Sequence, residues 1–156
     1  EETAMSLTAV RAQVATTIRT VTGIGTVHEY QRWSSTWPRF LELFKDSNDK
    51  INGCMITRVR TPEEESGHTG QDVRAHELKI ICIYGLKDED ITEIYFQDTI
   101  VEGICTALRE KRTLNGTVRY CSPPSVEIVD IRKFGNMLCH YAEIKITAEE
   151  MEKRKA

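Results

Sequence analysis

Two β-rich runs near the end of the chain, Ser125 to Phe134 and Met137 to Thr147, are separated only by Gly135-Asn136. Two residues of that chemistry suit a tight hairpin turn with positive φ at its centre, so the runs must pair antiparallel. An earlier stretch repeats the pattern at longer range. Ile51 to Arg60 and His76 to Gly85, with the β-rich run Leu78 to Tyr84, flank a segment without apolar residues, Pro62 to Gln71. These read as two strands of an extended hairpin with an acidic, exposed loop at its tip, carrying Glu63, Glu64 and Glu65. Antiparallel pairs of this kind set the fold class before any helix is considered.

Helical periodicity fills the remaining stretches. Leu7, Val10, Val14, Ile18 and Val21 recur every three or four residues and make one apolar stripe over Ser6 to Val21. Ser6 can cap that helix, and Gly23 suits the left-handed residue beyond its end. Ile24 to Tyr30 reads as extended. Ser35 or Thr36 then caps a short helix with Pro38 in its first turn, where the missing N–H costs nothing. Trp37, Phe40, Leu41 and Phe44 share its face. A longer helix runs from a cap at Asp88 or Asp90 to about Arg112, with apolar stripes wide enough to lie over a sheet. Gly103 inside it marks a close packing point, since it costs about 1 kcal/mol against Ala. Asn115-Gly116 is a turn.

The expected order is helix, strand, short helix, two strands, long helix, two strands. Because helices interrupt the strands without strict βα alternation, the class is α+β. It is a mostly antiparallel sheet of about five strands with two longer helices and one short helix. At 156 residues the chain has room for one domain, taken as 1–156 with 1–5 and 149–156 frayed.

Composition narrows the chemistry. There are 21 Lys+Arg against 24 Asp+Glu, a formal net charge of −3, whereas a small nucleic-acid module carries a clear positive excess. No apolar run approaches the ~18 residues of a membrane-spanning helix, and Glu1-Glu2-Thr3-Ala4 does not read as a signal segment. Cys54, Cys82, Cys105, Cys121 and Cys139 contain no C-x2-C pair and no even framework. They are expected as buried free thiols of a reducing compartment, with Cys121 beside Ser122-Pro123-Pro124 the most accessible. Cys139 and His140 point to opposite faces of their strand and cannot act together. Gly23-Ile24-Gly25 precedes a strand instead of following one, so it is a helix stop and turn, not a dinucleotide loop. Among the histidines His68 is expected in solvent, and His140 packed or hydrogen-bonded in the last strand. Asp46-Ser47-Asn48-Asp49 lacks the Gly and closing Glu of a calcium loop. No catalytic constellation emerges, and no metal or cofactor is expected.

Candidate contact residues are therefore all surface ones. Arg58 and Arg60 alternate along one strand face, as do Asp130 and Arg132. Trp33 and Trp37 flank a helix start, where they either pack in the core or anchor a partner. The candidate interface set is Arg32, Trp33, Arg58, Arg60, Glu63, Glu64 and Glu65.

Three segments carry a resemblance. They are V-x-G-I-G-x-V-H-E-Y-x-R-W (Val21 to Trp33) with W-x-x-F-L-x-L-F (Trp37 to Phe44), K-I-N-G-C-M-I-T-R (Lys50 to Arg58), and F-G-N-M-L-C-H-Y-A-E-I-K-I-T (Phe134 to Thr147). In order and spacing, from Leu7 to Thr147, the chain resembles a family of small tailed-bacteriophage proteins from the tail and neck genes. That family is similar in element order to tail-terminator (tail-completion) proteins. The resemblance implies a structural, non-enzymatic subunit without cofactor. It would form a homo-oligomeric ring, a hexamer, on the last ring of the tail tube, stopping tube polymerisation and facing the head side. Implied partners are the tail tube protein, the head–tail connector or neck protein, and the sheath protein if the tail is contractile. DNA enters only as transiting cargo, and no membrane is involved. The implied place is the virion tail or neck, assembled in the host cytoplasm. A head–tail joining role is the nearest alternative; a small enzyme or ligand-binding domain is the alternative from another class.

Overall fold

The computed structural model describes residues 6–47, 50–65, 67, 70–86, 91–135 and 137–153. The chain opens with α1 (Leu7–Arg19), whose N-terminus is capped as expected: Ser6 Oγ accepts from the Ala9 N–H at 3.1 Å. Gly23 follows with φ +84° and leads into β1 (Thr26–His28). The short helix α2 (Trp37–Phe44) begins after Thr36, with Pro38 in its first turn. Then come β2 (Asn52–Arg60), β3 (Glu63–Glu65) and β4 (Gln71–Gly85). The expected caps Asp88 and Asp90 lie outside the described residues. The helix itself is α3 (Thr92–Ile94), a π-helical segment (Tyr95–Val101) and α4 (Glu102–Glu110) in succession. The chain closes with β5 (Tyr120–Cys121), β6 (Ser125–Phe134) and β7 (Met137–Lys153).

The fold is mixed α and β, with a mostly antiparallel sheet, as the strand pattern requires. Among the described residues there are seven strands, not five. The principal order is β1-β2-β4-β7-β5, with β3 continuing the β2 side of β4 and β6 lying along β7. Among the described residues only β1 and β2 are parallel. The spine is the β4–β7 pair, in register from Gln71↔Lys153 to Gly85↔Cys139.

Helices α1 and α4 and the π segment bury one face. Val10, Val14, Ile18, Phe96, Ile100, Ile104 and Leu108 meet Cys54, Ile56, Leu78, Ile80, Ile144 and Ile146. On the opposite face α2 packs Phe40, Leu43 and Phe44 against Met55, Ile81, Ile83, Cys139 and Tyr141. Gly103 is indeed a close approach, since a Cβ there would press on Val21 Cγ1. The π segment explains one departure from the apolar stripes. An extra residue per turn shifts the phase, so Ile94 is exposed while Phe96 and Ile100 are buried.

Three expectations are corrected. The stretch Glu63–Glu65 is not loop but strand, paired with Arg74, Val73 and Asp72, and Glu63 reaches Arg74 Nε at 3.0 Å. His68, expected in solvent, lies outside the described residues. The tail is not frayed from 149 onward: β7 runs to Lys153, because β4 offers it a long backbone partner and buries Glu150 completely. Residues 1–5 and 154–156 lie outside the described residues. Cys121, expected accessible, is fully buried, since its pairing with Ala148 turns the side chain into the larger core.

All five cysteines are free and buried, and burial raises the Cys121 and Cys139 thiols to about 11. Because the thiolate is the reactive form, an aromatic disulfide reagent at pH 8 should find no fast thiol in the native protein and five after denaturation. A fast native thiol would contradict this packing.

Candidate interaction surface

Among the described residues no three of His, Cys, Asp and Glu come together as a metal site. A cleft of about 440 Å³ opens beside the Gly23 turn, with Lys50, Asn52, Tyr84 and Thr92 in its wall. One polar group of its wall is used structurally, as the Asn52 amide donates to Gly23 O at 2.9 Å. Thr92 Oγ1 and His140 Nε2 lie 2.8 Å apart, both buried, with Phe96 stacked on the imidazole at 5.7 Å. That arrangement fixes helix to sheet; it is not an accessible nucleophile and base.

Burial holds the His140 imidazole below its ordinary 6.5, with the Glu93 charge acting weakly the other way. The folded state therefore prefers the neutral ring. Stability is complete above pH 6.5 and falls as pH drops through that value. Denaturation midpoints should fall between pH 7.5 and 5.5, and His140→Asn should flatten the slope. A wild-type midpoint that rises over this range would contradict it.

The molecule's unsatisfied features lie at its sheet border. β6 is built from alternating and β-branched residues, Ser125-Val126-Glu127-Ile128-Val129-Asp130-Ile131-Arg132-Lys133-Phe134, and pairs along one side with β7. Glu127 is left over in a bulge between Val126 and Ile128. Among the described residues no strand pairs with its other side. Val126, Val129 and Ile131 stand beside Ile144, Ala142 and His140, on the sheet face of the long helices. Ile128, Asp130 and Arg132 stand on the α2 face, beside Glu143, Tyr141 and Cys139. Neither helical layer reaches far enough to cover them. Val129 is 56% exposed, Ile131 52% and Ile128 37%.

The apolar surface continues past the strand. Leu138 is exposed next to the hairpin turn, and so are Ile91 and Ile94, on either side of the Thr92 that bonds His140. Single exposed apolar residues are ordinary, but a contiguous set along an open strand marks a contact surface. Asp130 and Arg132 do share a face, with Arg132 Nε 3.4 Å from Asp130 Oδ2 and its guanidinium 3.9 Å over the Tyr141 ring.

The expected interface residues fall in three separate places. Trp33 stacks on Phe134 at 5.9 Å and Phe40 at 6.3 Å, yet keeps 44% of its surface exposed. It is both core lid and surface, near the β6 end of the sheet. Arg32 lies over the Tyr30 ring and donates to its hydroxyl at 3.1 Å. Arg58 and Arg60 do not share a face, contrary to the alternation. Val59 is the extra residue of a bulge, which sets Arg58 beside Leu78 and Arg60 beside Glu77. Arg60 is ion-paired with Glu77, which also meets Lys145 at 3.0 Å. Glu63, Glu64 and Glu65 are exposed on β3, on the opposite border of the sheet from β6.

In β6 the sequence marks Asp130 and Arg132 as a contact face but not the apolar residues between and beside them. The signal was present: Val126, Ile128, Val129 and Ile131 occupy both faces of a strand with a single sequence-adjacent partner. No protein-family model matches this chain, and no curated protein matches it at a significant level.

Proposed function

We propose that this chain is a structural assembly subunit, a tail terminator (tail-completion) protein of a tailed bacteriophage. The observation that carries the assembly reading is β6, an open strand with apolar side chains exposed on both faces. Such a strand is completed by protein: main-chain groups supply the pairing and the apolar side chains supply buried area. The terminator role rests on the resemblance over Leu7 to Thr147. In this reading copies of the chain close a hexameric ring on the end of the tail tube, through contacts between unlike surfaces. The acidic β3 border is the surface free to meet the tube, the head-side connector or, in a contractile tail, the sheath. The subunit is not an enzyme and takes no cofactor. A net charge of −3 suits a conduit for DNA, since a strongly basic lumen would hold the phosphates.

Adding the purified protein to polymerising tube subunits of its own phage tests this reading. Tube growth should stop, and the folded variant Ile131→Lys should fail to stop it. Unaltered tube lengths with the wild-type protein would count against termination, and binding to the connector alone would favour the joining role.

A further inference from the structure

The charges on β6 are sorted along its length. Glu127 and Asp130 precede Ile131, and Arg132 and Lys133 follow it. Charged residues on an open edge ordinarily keep other strands away. Sorted this way, they admit one partner that is always at hand: the same strand running in the opposite direction. An antiparallel pairing about a two-fold axis through Ile131 sets Asp130 against Arg132 of the second copy, twice. It also sets Ile128 against Phe134, Val129 against Lys133, and Ile131 against its own equivalent.

Three further observations fit that register. Residues that oppose each other share a face, and on the α2 face Ile128, Asp130, Arg132 and Phe134 follow in alternation. The bulge at Glu127 ends the regular strand, so the seam spans Ile128 to Phe134. The Ile131 N–H is taken by the Asp130 carboxylate at 2.8 Å, which leaves that donor on the open side of the strand. In the pair it would find the Ile131 carbonyl of the second copy, while Asp130 turns to the facing arginine.

The open β2–β3 border is a poorer match. There β1 already pairs with β2 at Gly53–Met55, and β3 presents Glu63, Glu64 and Glu65, like in charge to Glu127 and Asp130. Like charges directly opposite each other are unfavourable.

We infer that the free chain is a two-fold dimer joined through β6, with the two sheets made continuous across the seam. This goes beyond the ring reading. A two-fold contact has no place inside a polar ring, so the dimer is the form of the chain off the tail. Its opening frees β6 for ring assembly, and until then the apolar edge is covered.

Sedimentation equilibrium of the purified full chain tests the inference. The wild type should be a dimer at micromolar concentration. Arg132→Asp puts aspartates opposite each other in both pairs and should raise the dissociation constant about 100-fold. The exchange Asp130→Arg with Arg132→Asp restores both pairs and should restore the dimer. Circular dichroism should be the same for all three proteins. A wild-type monomer, or self-association indifferent to these charges, overturns the inference. So does an exchange that stays as weak as the single variant, because then the partner of β6 is not β6. The ring reading is scored separately, by tube length.

Discussion

Replacing Glu150 with alanine should lower the unfolding free energy by about 3–5 kcal/mol, the usual loss when one member of a buried charge cluster is removed. Glu150 lies in β7 opposite Arg74 and is 0% exposed. Its Oε1 accepts from Arg74 Nη1 at 2.9 Å and meets His76 Nε2 at 2.9 Å. A carboxylate only accepts, so Nε2 carries the proton toward it, and Nδ1 faces Thr61 Oγ1 at 2.9 Å. The second oxygen, Oε2, has no hydrogen-bond partner among the described residues. Truncation leaves His76, itself fully buried, without its acceptor. Among the described residues Arg74 would keep its contact with Glu63. At about 2–4 °C per kcal/mol for a domain of this size, the melting temperature should fall by about 10 °C. Glu150→Gln keeps the shape and one acceptor and should fall between the two. If the tail were frayed, as its composition suggests, the loss would be within about 0.5 kcal/mol. Urea denaturation of the three proteins decides the matter.

The second large effect is expected at Gly25. Its backbone lies against Asn52, so that a Cβ would fall on the Asn52 carbonyl oxygen and close to its side-chain carbon Cγ. Those are fixed atoms: Asn52 starts β2, is buried, and holds the Gly23 carbonyl. Gly25→Ala must push β1 away from β2 or strain both, and should cost about 3 kcal/mol, the upper part of the range for overpacked sites. Gly67 is the control, because nothing lies within 4 Å of its Cβ direction. Gly67→Ala should change stability by no more than about 0.5 kcal/mol. Equal effects at the two positions would contradict the close β1–β2 approach.

These two sites also show what the sequence could and could not reveal. Where burial sets the pattern, the pattern was readable: the α1 stripe, the α2 face with Phe40 and Phe44, the β4 run from Leu78, and the hairpin at Gly135, whose φ is +60°. The Gly23–Gly25 fragment read as a stop and turn, and the positive φ of Gly23 agrees. Elements held by their backbone partner were invisible. Glu63–Glu65 and Glu149–Lys153 have no apolar alternation; they are strands because the long β4 supplies pairing on both sides. The bulge at Val59 likewise leaves no mark on an alternating sequence, yet it moves Arg58 and Arg60 to opposite faces. β6 was readable as a strand, and Asp130 and Arg132 as a shared face, but its place in the sheet was not. Its composition is that of an inner strand, and only the topology shows it at the border with no strand beyond it.

That border strand is why the chain reads as an assembly subunit. The most direct test of the proposed terminator role is electron microscopy of tails made by a phage from which this gene has been deleted. Termination predicts overlong tails without heads, restored to normal length by the wild-type gene and not by Ile131→Lys. Tails of normal length that fail to join heads, or intact infectious virions, would contradict it.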